Sequence, residues 1–207
     1  WVKPDSAALA AGTSYLQPVG KINAYRMFIN GQGAATPRGE LSLQLQDVGN
    51  LTGPSTISGN VWTHLAATYD GSNIRIYYNG IEVTSSAATG DIYQADPRDL
   101  WIGKFATPNR YFPGSITDVR LYSTGLTAGN CLTLASINPA TNVSGAIYAD
   151  PDNDFGALGW WKCGATASGT LDATNYGTSG SAIDGSISGS AKSGFVTVTG
   201  SAGFNSI

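Results

Sequence analysis

Val61-Trp-Thr-His-Leu-Ala-Ala-Thr-Tyr-Asp-Gly-Ser-Asn-Ile-Arg-Ile-Tyr-Tyr-Asn-Gly-Ile-Glu-Val83 is the stretch that decides the fold. Trp62, His64, Ala66 and Thr68 alternate with Thr63, Leu65, Ala67 and Tyr69, so the run has two distinct faces. A period of two is what a pleated strand requires. Asp70-Gly71 breaks the run. A second alternation follows, with Ile74, Ile76 and Tyr78 on one face and Arg75, Tyr77 and Asn79 on the other, until Asn79-Gly80 turns the chain again. Asp-Gly and Asn-Gly suit tight hairpin turns because both residues tolerate positive φ.

The same signal recurs outward from this segment. Leu41, Leu43 and Leu45 alternate with Ser42, Gln44 and Gln46, and Val196 and Val198 with Thr197 and Thr199. No stretch keeps a helical spacing of 3.6 residues for long, so the chain reads as all-β, an antiparallel sandwich of two sheets whose inner faces pack roughly 10 Å apart. Trp62, Ile74, Ile76, Trp101, Ile102, Ile116, Val119, Leu121 and Trp161 are expected in its core.

Further blocks extend the pattern. Trp1-Val2-Lys3-Pro4 precedes the hairpin, and Leu100-Trp101-Ile102-Gly103 and Tyr111-Phe112-Pro113-Gly114-Ser115-Ile116-Thr117-Asp118-Val119-Arg120-Leu121-Tyr122 follow it. In this order the four blocks resemble the laminin G-like, concanavalin A-like jelly roll. Its motifs read Trp-Val-Lys-Pro, Trp-x-His-x-Ala-x-x-Tyr-Asp-Gly, Leu-x-Ile-Gly and Phe-x-Gly-x-Ile-x-Asp-Val-Arg-Ile-Tyr. The resemblance covers residues 1–135, with Thr124 to Leu134 as a short closing turn.

That family opens with strands placed before Trp-Val-Lys-Pro, and their equivalents occur here at the other end. Leu158-Gly159-Trp160-Trp161-Lys162-Cys163, the loop from Asn175 to Ile187, and Phe195-Val196-Thr197-Val198 resemble the family's opening strands. Three parts follow: most of a jelly roll over 1–135, a linker over 136–157, and opening strands over 158–207. The last part either completes the first domain, by circular permutation or by strand exchange with a neighbour, or begins a tandem domain. Trp1 itself reads as a processed or partial start.

Composition narrows the class. Only 12% of residues are charged and the net charge is -3, so no basic footprint for nucleic acid is expected. All six Arg precede residue 121, and residues 123–207 hold Lys162 and Lys192 against five Asp. No apolar run is long enough to insert in a membrane. Low charge with abundant Gly, Ser, Thr and Ala suits a protein of the extracellular space, the cell surface or a virion surface.

Catalysis is not expected. Related jelly-roll glycosidases carry paired carboxylates on one strand face, whereas Glu40 and Glu82 are the only glutamates and stand apart. His64, the sole histidine, occupies the place of a structural strand histidine in the resembling family. Asp150, Asp152 and Asp154, on a loop closed by Gly156, could converge on Ca²⁺; the alternative is a solvated acidic linker. Asn109, Arg110 and Tyr111 precede the Phe112-Pro113-Gly114 turn and are candidates for ligand contact at a sandwich edge. Cys131 and Cys163 form a disulfide in one reading and remain free thiols in the other.

Two roles follow from this. The first, favoured slightly by the displaced opening strands, is a structural subunit of a decoration, fibre or filament, whose partners are neighbouring copies. The alternative, which the resemblance implies, is an adhesion module that binds glycans or surface proteins.

Overall fold

The computed structural model describes residues 1–11, 15–30, 39–93, 97–104, 111–137, 155–163, 185–190 and 193–198. Its strands, in chain order, are β1 (Val2–Pro4), β2 (Leu16–Lys21), β3 (Tyr25–Ile29), β4 (Leu41–Leu45), β5 (Gly49–Thr52), β6 (Leu65–Tyr69), β7 (Asn73–Tyr78) and β8 (Ile81–Ala87). They continue as β9 (Leu100–Ile102), β10 (Gly114–Ile116), β11 (Val119–Leu121), β12 (Gly159–Trp161), β13 (Gly185–Ser190) and β14 (Ser193–Val198). Two helices, α1 (Ser6–Ala11) and α2 (Ala128–Ser136), complete the set.

The hairpin read from the sequence forms as expected. β6 and β7 pair antiparallel from Leu65 opposite Tyr78 to Tyr69 opposite Ile74. Asp70 caps their turn, its Oδ1 accepting from the Ser72 and Asn73 amides at 2.9 and 2.7 Å. Those amides and the Arg75 guanidinium, the largest influence, hold the Asp70 carboxyl down at about 2. Asn79 and Gly80 both take positive φ, 49° and 81°, which turns β7 into β8.

Seven strands make one antiparallel sheet in the order β13-β14-β9-β2-β3-β4-β5. The opposing layer is the β6-β7-β8 sheet, joined through a bridge between Val2 and Thr63 to β1. β1 pairs with β10, and β11 pairs with β12. Leu41, Leu43 and Leu45 from the first layer meet Leu65, Ala67, Ile74, Ile76 and Trp161 from the second in one apolar cluster. This is a two-sheet sandwich of the concanavalin A-like kind. Residues 158–163 and 193–198 supply strands to the same chain, β12 to β11 and β14 to β9.

The core differs from expectation at particular places. Ile74, Ile76, Ile102, Leu121 and Trp161 are buried, but Trp62, Trp101, Ile116 and Val119 are half-buried. Trp62 shares the alternation of His64, so it points away from the sandwich interior, with the Lys3 ammonium 5.9 Å from its ring centre. Trp101 lies opposite Gly20, whose neighbours Val19 and Lys21 take the inward phase of β2 with Ile102 and Leu100.

The segment expected as a short turn holds a nine-residue helix instead. Thr127 and Asn130 form a capping box at its start, satisfying amides that the first helical turn leaves without partners. Cys131 and Leu134, three apart, face inward. Leu134 joins Tyr122, Ala157 and Trp160 in a second small core on the outer side of the second layer.

Candidate ligand-binding face

Strand register builds the site on the outer face of the seven-stranded sheet. Asn50 lies opposite Gln44, Gln44 opposite Arg26, Arg26 opposite Gly20, and Gly20 opposite Trp101. Residues directly opposite across strands share a face. The inward row beside them is Leu51, Leu43, Met27, Val19 and Ile102. Five strands therefore line up two amides, a guanidinium and an indole in one row. At about 4.8 Å between neighbouring strands, the row spans roughly 19 Å.

Gly20 sits in the middle of this row, with side chains lying close over it. A Cβ there would meet Gln17 Nε2 at 2.6 Å and Arg26 Cγ at 3.1 Å, so a larger residue would displace the Gln17 amide from its place across the sheet. Gln17 Nε2 donates to the Lys104 carbonyl at 3.3 Å. The Lys104 ammonium sits 5.5 Å from the centre of the Trp101 ring. Arg26 donates from Nη2 to Gln44 Oε1.

At the other end of the row a groove of about 220 Å³ opens among Asn23, Arg26, Gln44, Gln46 and Asn50. Among the described residues of its lining, Arg26 is the only charged one. Farther along the same face Phe28 meets Tyr15 edge-on, ring centres 4.8 Å apart, and Ser42 and Thr52 share a hydrogen bond of 2.8 Å. Amides, hydroxyls, one guanidinium and aromatic rings on a fixed sheet suit a polyhydroxylated ligand, which needs hydrogen-bond partners in a plane and an apolar surface for its C–H faces.

Of the candidates read from the sequence, Tyr111 is 56% exposed and bridges Lys104, beside the Trp101 end of the row. Asn109 and Arg110 lie outside the described residues, as do Asp150, Asp152 and Asp154. Among the described residues no group of three or more His, Cys, Asp or Glu side chains could hold a metal ion. No disulfide joins Cys131 to Cys163, and burial pushes the Cys131 thiol up to about 11. Glu40 lies by Asn30 at the start of β4, and Glu82 by Arg75 and Tyr77 on β8, so the two glutamates belong to opposite layers.

His64 is buried against Trp1, ring centres 5.3 Å apart in a T-shaped arrangement. Desolvation, the first cause, pushes its pKa from 6.5 down to about 3; the chain's amino group and Arg120 add to this and Asp118 opposes it. The unfolded chain therefore binds a proton at His64 that the folded one refuses. The stabilisation is complete above pH 6.5 and is lost as pH falls towards 3, at up to about 1.4 kcal/mol per pH unit. Thermal melts between pH 6.5 and about 4.5 should show a falling Tm that His64→Gln flattens, because an amide cannot take up the proton. Equal slopes in the two proteins would contradict this.

The sequence did not point to Arg26, Gln44 and Asn50. Gln44 shows there as the polar member of an alternation and Asn50 as the first residue of an Asn-Leu-Thr glycosylation acceptor pattern, and nothing local says that the three positions share a row.

The model of the family described as the concanavalin A-like lectin/glucanases superfamily matches residues 1–130. No curated protein matches the chain. Among solved structures, the chain is similar to a Bacteroides ovatus protein proposed to bind carbohydrate, at 19% identity and a TM-score of 0.57. That match covers 96% of this chain and 50% of the other, so this chain spans about half the length of that protein. A weaker likeness, at 20% identity and a TM-score of 0.29, links 59% of the chain to 63% of an S-layer domain-containing protein from Clostridium thermocellum.

Proposed function

This chain belongs to the concanavalin A-like lectin/glucanases superfamily, and from that premise we propose that it is a non-catalytic, carbohydrate-binding module acting outside the cell. The observation that carries this reading is the row of Asn50, Gln44, Arg26 and Trp101 across the outer face of the seven-stranded sheet. The ligand lies along that row, with hydroxyls on the amides and guanidinium and a sugar face against Trp101. Tyr111 flanks the Trp101 end through its bridge to Lys104, and Asn109 and Arg110, next to it in sequence, are proposed as further ligand contacts.

Several features support the choice. Sequence alone weighs an assembly role slightly ahead; the likeness to a protein proposed to bind carbohydrate moves the balance to the adhesion reading. The placement of Glu40 and Glu82 in opposite layers gives no support to a glycosidase pair, which needs two carboxyls about 5–10 Å apart across one bond. No described helix is long and apolar enough to cross a membrane. Residues 158–207 are taken to complete the same jelly roll, a reading supported by β12 on β11 and β14 on β9.

A glycan array followed by calorimetry on the strongest binder tests the proposal. Arg26→Ala and Gln44→Ala should each weaken binding about tenfold or more, as expected for a lost charge-assisted hydrogen bond or a stranded partner. Their Tm should move by less than about 4 °C, because both side chains lie on the outer face. A parent protein that binds no glycan, or variants that bind as the parent does, would overturn the assignment.

A further inference from the structure

β2 carries one residue too many for its partner. Leu16 pairs with Ile29 and Val19 with Met27, so Gln17 and Pro18 together stand opposite Phe28 in a β-bulge. Pro18 suits this place because it has no N–H to give the ladder, while its carbonyl accepts from the Gly103 amide at 2.7 Å. Bulges re-aim side chains, and this one sends Gln17 across the outer face of the sheet to Gly20.

Two side chains meet over Gly20. The point where a Cβ would stand is 2.6 Å from Gln17 Nε2, 3.2 Å from Gln17 Cδ and 3.1 Å from Arg26 Cγ. The Gln17 amide therefore fills the notch that the glycine leaves, and the Arg26 stem borders the same notch. Gln17 is 4% exposed and its Nε2 donates to the Lys104 carbonyl, but among the described residues its Oε1 has no hydrogen-bond partner. A half-satisfied buried amide is a poor choice for stability alone.

Its effect falls on Arg26. That side chain has two directions open to it: over Gly20 towards Trp101, or away from Gly20 towards Gln44. Long cationic side chains lay their methylene stems along any surface that receives them, and an empty notch beside Arg26 Cγ would receive this one. With the Gln17 amide in the notch, Arg26 takes the other direction, donates from Nη2 to Gln44 Oε1 and lines the groove with Gln44 and Asn50. We infer that Gln17 is a positioning residue of the carbohydrate face, propping Arg26 towards Gln44 and so keeping the guanidinium in the groove. Its consequence for binding rests on the carbohydrate reading; the placement of Arg26 rests on the Gly20 notch alone.

Nuclear Overhauser contacts recorded without any glycan test the placement. In the parent the δ and ε protons of Arg26 should contact the Gln44 side-chain amide. Gln17→Ala should lose those contacts and gain contacts from the same protons to the Gly20 α protons. Adding Gly20→Ala to Gln17→Ala returns a Cβ to the notch with no Gln17 amide to clash with, and should restore the Arg26–Gln44 contacts. A variant that is merely less stable keeps them below its Tm. Contacts that persist in Gln17→Ala overturn the inference, and so does a double variant that behaves as the single one does. Calorimetry with the array glycan that the parent binds most tightly tests the consequence. Gln17→Ala should weaken binding about tenfold in the parent and by less than about twofold in the Arg26→Ala background, because its effect passes through Arg26. Equal weakening in both backgrounds overturns the inference. A parent that binds no array glycan overturns the carbohydrate reading instead, and the contacts alone then decide the role of Gln17.

Discussion

Asp118→Ala is expected to lower the unfolding free energy by about 3–5 kcal/mol, among the largest effects of any single substitution in this chain. Asp118 Oδ1 accepts from Arg120 Nε and from Trp160 Nε1, each at 2.7 Å. The Arg120 and Asp118 side chains are 5% and 3% exposed, and the guanidinium lies over the Trp160 ring at 4.2 Å. Removing the carboxylate takes a close counter-charge from a buried guanidinium and an acceptor from the Trp160 Nε1–H, so the penalty exceeds that of one lost hydrogen bond. Asp118 also holds a left-handed backbone with φ 54°, which alanine adopts less readily than Asp or Asn. Asp118→Asn keeps an acceptor and the backbone preference, and should lose clearly less. Urea unfolding followed by tryptophan fluorescence measures both. A loss under about 1 kcal/mol for the alanine variant would show that water screens the pair.

Trp161→Ala should cost about 3–5 kcal/mol, by the mechanism of a large core cavity. Trp161 is 0% exposed and packs in the main apolar cluster from β12, opposite Val119 on β11. Its ring lies over Gly159, where a Cβ would meet it at 2.3 Å, so it packs tightly against its own strand. The measurement bears on the architecture as well as on packing. If residues 158–163 complete the core formed by residues 1–137, the variant unfolds in a single transition with a lower midpoint. A variant as stable as the parent would mean that the core holds without β12.

The β6-β7 hairpin was legible because its information is local: an alternation of period two and two turn dipeptides fix strand, face and turn within 23 residues. The α2 helix was not, since Ala128-Gly129-Asn130-Cys131-Leu132-Thr133-Leu134 is too short for a helical period to stand out. Its capping box and the burial of Cys131 and Leu134 decide it. Trp62 and Trp101 show a different limit. Residue type says that a tryptophan is large and apolar, but the phase of the strand decides whether it faces the other sheet. The candidate face was the least legible part. Arg26, Gln44 and Asn50 lie on three strands and meet only through register.

By itself the sequence determined the strands, the two faces of the clearest ones, the all-β sandwich and the separation of its two glutamates along the chain. Those follow from nearest-neighbour patterns, which each segment carries alone. The tertiary structure alone decided which outward residues form a row and that Asp118 anchors Trp160 across 42 residues. The reason is that pairing in an antiparallel sheet is non-local. A shift of one residue in register exchanges every inward and outward side chain, and no single strand carries the register of its partner.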